Sequence, residues 1–101
     1  MSNSNAVQDP LPDSVVRITL NGTGVPVPDR DPVTAERNKQ KVRWVADFDF
    51  QITVDGYNDI IYSREGGQGY TCKTGYFTGK TYKYTIHANG VDNDPTIDIK
   101  P

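Results

Sequence analysis

At 101 residues the chain has the common size of one domain and leaves no room for a second core. Its hydrophobic content of 35% is low, but six Tyr, three Phe and one Trp offset this because each ring buries a large area. A formal net charge of −2, with eleven Lys and Arg scattered along the chain, argues against nucleic acid as a partner.

The opening Met1-Ser2-Asn3-Ser4-Asn5 has neither the basic nor the apolar part of a secretory signal. No apolar run approaches the length of a membrane span, so a soluble chain is expected. Residues 1–13 are polar, carry Pro10 and Pro12, and show no periodicity, which predicts a flexible N-terminal tail ahead of a single domain over 14–101. From Ser14 the apolar period is two. Val16, Ile18 and Leu20 alternate with Arg17 and Thr19, a strand that ends at Asn21-Gly22. Asn21-Gly22-Thr23 is also a glycosylation sequon, which has meaning only in a eukaryotic secretory pathway.

Pro26, Pro28 and Pro32 then mark an extended stretch, because proline inside a helix lacks its donor and clashes with the preceding turn. The one candidate helical turn is Ala35 to Gln40, too short to stand alone. Lys41 to Val45 begins the next strand, with Val42 and Trp44 on one face. The clearest signal follows: Phe48, Phe50, Ile52 and Val54 alternate with Asp49, Gln51 and Thr53 up to a break at Asp55-Gly56.

Ile60 to Ser63 reads as a further short strand and Arg64 to Gly69 as a Gly-rich loop, since glycine weakens a strand. Tyr70, Cys72 and Thr74 suggest a brief strand before Gly75. Lys80 to Ala88 alternates again, Tyr82, Tyr84 and Ile86 against Lys83, Thr85 and His87, and Asn89-Gly90 turns the chain. Ile97 and Ile99 mark the last strand. Six to eight short strands at this spacing predict an all-β fold, a two-sheet Greek-key β-sandwich.

The order of these features resembles the cupredoxins. The resemblance is carried by Val16 to Leu20 with the Pro-bearing crossing to Val33-Thr34, by Lys41-Val42-Arg43-Trp44 followed by Phe50-Gln51-Ile52, and by Lys80 to Ile86 followed by Pro95 to Ile99. The last segment is similar to the ending of many bacterial cupredoxin-like proteins of unknown function. Immunoglobulin-like sandwiches share most of these strand patterns, so both classes stay open. The copper ligands do not carry over. A blue-copper centre needs two His, a Cys thiolate and usually an axial Met. The first His position falls at Phe50, or at Gln51 with a slipped register, the Cys position at Ile86 and the second His near Asn89. The only Met is Met1. The resemblance thus implies a cupredoxin-like shell without copper, and no cofactor is expected.

The remaining chemistry is sparse. Cys72 is the only cysteine, so no intramolecular disulfide forms, and Lys73 beside it would favour a thiolate if the thiol were accessible. A structural, half-buried Cys72 is the simpler reading. His87, the only histidine, shares the solvent side with Lys83 and Thr85. Asp92-Asn93-Asp94 forms an acidic run of the kind that offers Ca²⁺ its oxygen ligands, distantly similar to cadherin linkers, with Asp47, Asp49 and Asp55 as further donors. Asp and Asn are equally ordinary turn residues. Gly66-Gly67-Gln68-Gly69 lacks the Lys-Ser/Thr and the helix of a phosphate loop.

The most unusual stretch is Gly56 to Gly79, where Tyr57, Tyr62, Tyr70, Tyr76 and Phe77 sit among Gly, Ser, Thr, Asn and Gln. Rigid amphipathic rings on polar loops make binding surfaces, although such rings also cap core edges. With no nucleophile–base pair in view, the expectation is a non-catalytic binding or structural module whose partner is another protein. A calcium-binding module using Asp92, Asn93 and Asp94 is the alternative, and a divergent copper protein the third.

Overall fold

A computed structural model describes residues 11–57, 59–67 and 69–101. Every element assigned among them is a strand: β1 (Ser14–Leu20), β2 (Pro26–Pro28), β3 (Val33–Glu36), β4 (Val42–Ala46), β5 (Gln51–Val54), β6 (Ile61–Tyr62), β7 (Arg64–Gly66), β8 (Gly69–Lys73), β9 (Thr81–Ala88), β10 (Val91–Asn93) and β11 (Thr96–Lys100). They form two mixed sheets, β2-β1-β4-β8-β7 and β3-β11-β9-β5-β6, with β10 also paired to β9. No helix among the described residues is long and apolar enough to cross a membrane.

Alternation decides which side of each sheet is dry. Val16 and Ile18 of β1, Val42, Trp44 and Ala46 of β4, and Cys72 of β8 point inward from the first sheet. Ile52 and Val54 of β5, Tyr84 and Ile86 of β9, and Ile97 and Ile99 of β11 meet them from the second. The Trp44 and Tyr84 rings touch across the interface, centroids 5.1 Å apart. Each sheet contains one parallel pair, β1 with β4 and β3 with β11, because the chain crosses between sheets after β2 and again after β3.

Several expectations change on contact with the pairing. Ala35 to Gln40 forms no helix: Ala35 is buried in β3 opposite Ile99 of β11, and the chain reverses through residues 37–39 in one isolated turn, the Lys39 and Gln40 N–H groups donating to the Glu36 carbonyl and Asn38 at φ 60. A parallel partner strand was available, and it outweighs the local preference. The alternation from Phe48 begins earlier than the strand, which starts at Gln51, although Phe50 is buried and Phe48 packs on the core. The Gly-rich loop is a hairpin, with Gly66 opposite Gly69. Gly69 permits it: its φ is +112, and a Cβ there would lie 2.6 Å from the Ala46 carbonyl oxygen.

Asp92 and Asn93 of the acidic run lie in a strand as well. Asn89 and Gly90, both at positive φ, make the two-residue turn expected of Asn-Gly and bring Val91 opposite Ala88. The same register then continues from Val91–Ala88 to Asp98–Thr81. Pro95 interrupts the strand for want of an N–H, yet its carbonyl still accepts from the Tyr84 N–H at 3.0 Å. Residues 1–10 of the expected tail lie outside the described residues. Where description begins, the Leu11 N–H donates to the Lys39 carbonyl and the Pro12 carbonyl accepts from Gln40 Nε2.

Candidate functional site

The five aromatic residues singled out in the sequence do not form one surface. Phe77 is buried, so it belongs to the core; the rings of Tyr57 and Tyr82 stand over it at 5.9 and 5.0 Å. Tyr57 is 48% exposed, and its burial against this cluster, reinforced by the Tyr82 phenol, pushes its pKa up. Tyr70 points inward from β8 opposite Ala46 and is half-buried. Tyr76 is 43% exposed with the Lys41 ammonium 5.0 Å above its ring. Tyr62, at 62%, is the most exposed large apolar side chain among the described residues and stands on β6 at the sandwich edge.

Asp92, Asn93 and Asp94 do not converge. Strand geometry sends Asp92 and Asp94 to the outer face and Asn93 to the other side, where its Nδ2 donates to the Pro26 carbonyl at 3.0 Å. Asp94 accepts from Thr85 Oγ1 at 2.7 Å. Asp92 accepts from His87 Nδ1 at 2.8 Å, and Thr53 Oγ1 lies 3.0 Å from Nε2. Among the described residues no three carboxylate, His or Cys groups gather as a metal site.

Thr53, His87 and Asp92 therefore form a hydroxyl–imidazole–carboxylate line that sequence reasoning did not find. Nδ1 faces the Asp92 carboxylate, and the Thr53 hydroxyl, which can donate or accept, faces Nε2. Asp92 is itself mostly in water. The line is a cross-strand polar ladder on a wet face.

Cys72 is inert. It is buried opposite Trp44, and burial, then the charge of Asp49, push its pKa up to about 12. Lys73 cannot lower it, because the next residue on a strand points to the opposite face. For the same reason Cys72, facing inward from the first sheet, cannot meet His87, facing outward from the second. Phe50 and Ile86, at two of the positions where copper ligands would stand, are buried and apolar, so these residues do not fit a copper centre.

The outer face of the first sheet is the feature that the sequence concealed. Alternation turns Arg17 of β1, Arg43 of β4, Arg64 of β7 and Lys73 of β8 outward beside Val15, Val45 and Thr71. Arg43 and Lys73 are directly opposed partners of an antiparallel pair, an arrangement of like charges that destabilises a sheet. Asp13 approaches Arg43 only to 3.9 Å, and Asp47 approaches Arg17 only to 3.7 Å. Arg43 Nε is shielded from solvent and has no hydrogen-bond partner among the described residues. Among the described residues Arg64 and Lys73 form no ion pair within 4.0 Å. Both line a groove of about 360 Å³ with Ile61, Tyr62 and Thr71, where β6 of one sheet passes through Ser63 into β7 of the other. No known protein family, curated protein or solved structure matches the chain.

Proposed function

We propose that this protein is a non-catalytic recognition module that binds an acidic segment of another protein on the outer face of the β2-β1-β4-β8-β7 sheet. Tyr62 packs against the apolar part of that segment at the edge groove. The observation that carries the reading is the direct opposition of Arg43 and Lys73, with Arg64 beyond them and, among the described residues, no carboxylate closer than Asp13. A sheet that keeps like charges face to face holds a site for the anion that relieves them. Tyr62 and Tyr76 lie at the margins of the cationic face rather than on it, so the face offers no row of rings on which bases would stack. Of the two sandwich classes, the cupredoxin-like one is favoured: immunoglobulin sandwiches are built from antiparallel sheets, whereas β1–β4 and β3–β11 run parallel.

Fluorescence anisotropy with a labelled peptide of alternating Glu and Tyr tests this, against a Lys-Tyr peptide of equal length and a single-stranded oligonucleotide. The Glu-Tyr peptide should bind best, and Arg43→Gln with Lys73→Gln should weaken it at least about tenfold, the scale of one lost charge-assisted contact. No preference for the acidic peptide, or tighter binding of the oligonucleotide, overturns the reading.

A further inference from the structure

The second sheet carries the complement of the cationic face. Its outer side presents Glu36, Asp92, Asp94 and Asp98 against only Lys83, Lys100 and His87. Lys100 is taken up by Asp98 at 3.1 Å, and the Lys83 ammonium donates to the backbone carbonyl of Asp94 at 3.1 Å rather than to a carboxylate. Asp92, which accepts from His87 Nδ1, and Asp94, which accepts from Thr85 Oγ1, stand together on this face, and Asp92 borders with Asp49 a depression of about 250 Å³ beside the Asn89-Gly90 turn.

We infer that the acidic partner is a second copy of this chain, whose Asp92 and Asp94 dock against Arg43 and Lys73. This rests on the reading above and names the partner of the same face. Both surfaces are pleated sheets with the same spacings. Arg43 and Lys73 are neighbours across one strand gap of about 4.8 Å, and Asp92 of β10 and Asp94 just beyond its end, two residues apart along an extended chain, are about 6.8 Å apart. The long Arg and Lys stems span that difference. The two faces lie on opposite sides of the sandwich, so each docked copy leaves one of each free. A head-to-tail contact between faces set back to back does not turn the chain of copies into a closed ring of few members, and copies stack in an open series.

Sedimentation velocity at low ionic strength, about 0.01 M where charges act over about 30 Å, reads the result directly. The wild-type chain should give a series of species that grows with protein concentration and collapses to monomer near 1 M salt. Arg43→Gln/Lys73→Gln should be monomeric, and so should Asp92→Asn/Asp94→Asn. These side chains all point outward, and circular dichroism of each variant checks that it is folded. Mixing the two variants should restore one contact, between the intact acidic face of the first and the intact basic face of the second, and stop at a one-to-one pair. A wild-type chain that stays monomeric at low salt overturns the inference, as does a mixture that does not pair. If the Glu-Tyr peptide still binds in that case, the recognition reading stands and only the identity of the partner falls. If the peptide fails too, both fall.

Discussion

Reversing one charge on the proposed binding face should make the protein more stable and less able to bind. Arg43 and Lys73 are directly opposed, with Cβ atoms about 5 Å apart, and such like pairs cost roughly 0.2–1 kcal/mol. Lys73→Glu removes that repulsion and adds an attraction of similar size. Two features hold the sum down: Asp13 already offsets part of the repulsion from 3.9 Å, and Lys73 is solvent-exposed. The expected gain is about 0.5–1 kcal/mol, a rise in Tm of roughly 2–8 °C for a domain of this size. Urea denaturation measures it, and salt separates the cause. Wild-type stability should rise as added salt screens the like pair, while that of Lys73→Glu should fall slightly as the new attraction is screened. Affinity for the acidic peptide should drop at least about tenfold in the same variant. A destabilised variant, or a double-mutant cycle of Arg43→Gln and Lys73→Gln with favourable coupling, would refute the idea that this face stores repulsion.

Three further outcomes follow from the core and its edges. The Tyr84 hydroxyl is buried and has no hydrogen-bond partner among the described residues, so Tyr84→Phe should raise stability by about 1 kcal/mol in urea; a loss of that size would mean that the Trp44 indole N–H serves it after all. Burial lifts Cys72 and Tyr84 to about 12, from 9.0 and 10.0, so the folded chain keeps protons that the unfolded chain releases. Their contribution is intact below about pH 9 and is lost progressively up to about pH 12; denaturation followed across that window should show Cys72→Ala delaying the onset by about one pH unit. Gly69→Ala should cost at least about 2 kcal/mol, since it combines a positive φ with a Cβ against the Ala46 carbonyl, whereas Gly67→Ala, in open space, should change the midpoint by no more than about 0.5 kcal/mol.

Much of the fold was legible because a strand with one dry face repeats every two residues. Val42 and Trp44, Ile52 and Val54, and Tyr84 and Ile86 announced their strands in that way, and Asn89-Gly90 announced its turn through the backbone freedom of those two residues. The failures share another cause. Arg64 to Gly66 and Val91 to Asn93 become strands because a partner lies beside them, β8 in one case and β9 in the other, and nothing in their own composition overcomes the bias of Gly, Asp and Asn toward turns. Asn93 left the acidic run for the same reason: once the segment is extended, alternate residues must part.

The candidate site was less legible than the fold. Tyr62 was visible as an aromatic among polar residues, yet Phe77 looked the same in the sequence and is buried. Whether a ring is exposed depends on what the other sheet places over it. Arg17, Arg43, Arg64 and Lys73 stand far apart in the chain and read there as scattered charges. The sequence by itself determined that Arg17, Arg43 and Lys73 point outward, because each sits beside inward Val16, Ile18, Val42, Trp44 or Cys72, whereas Arg64 read as part of a loop and takes its direction from pairing with β8. Only the tertiary structure decided that they share one face and that two of them oppose each other. Side-chain direction is a local property of an extended chain, but strand order and register are set by hydrogen bonds between segments that the sequence does not rank.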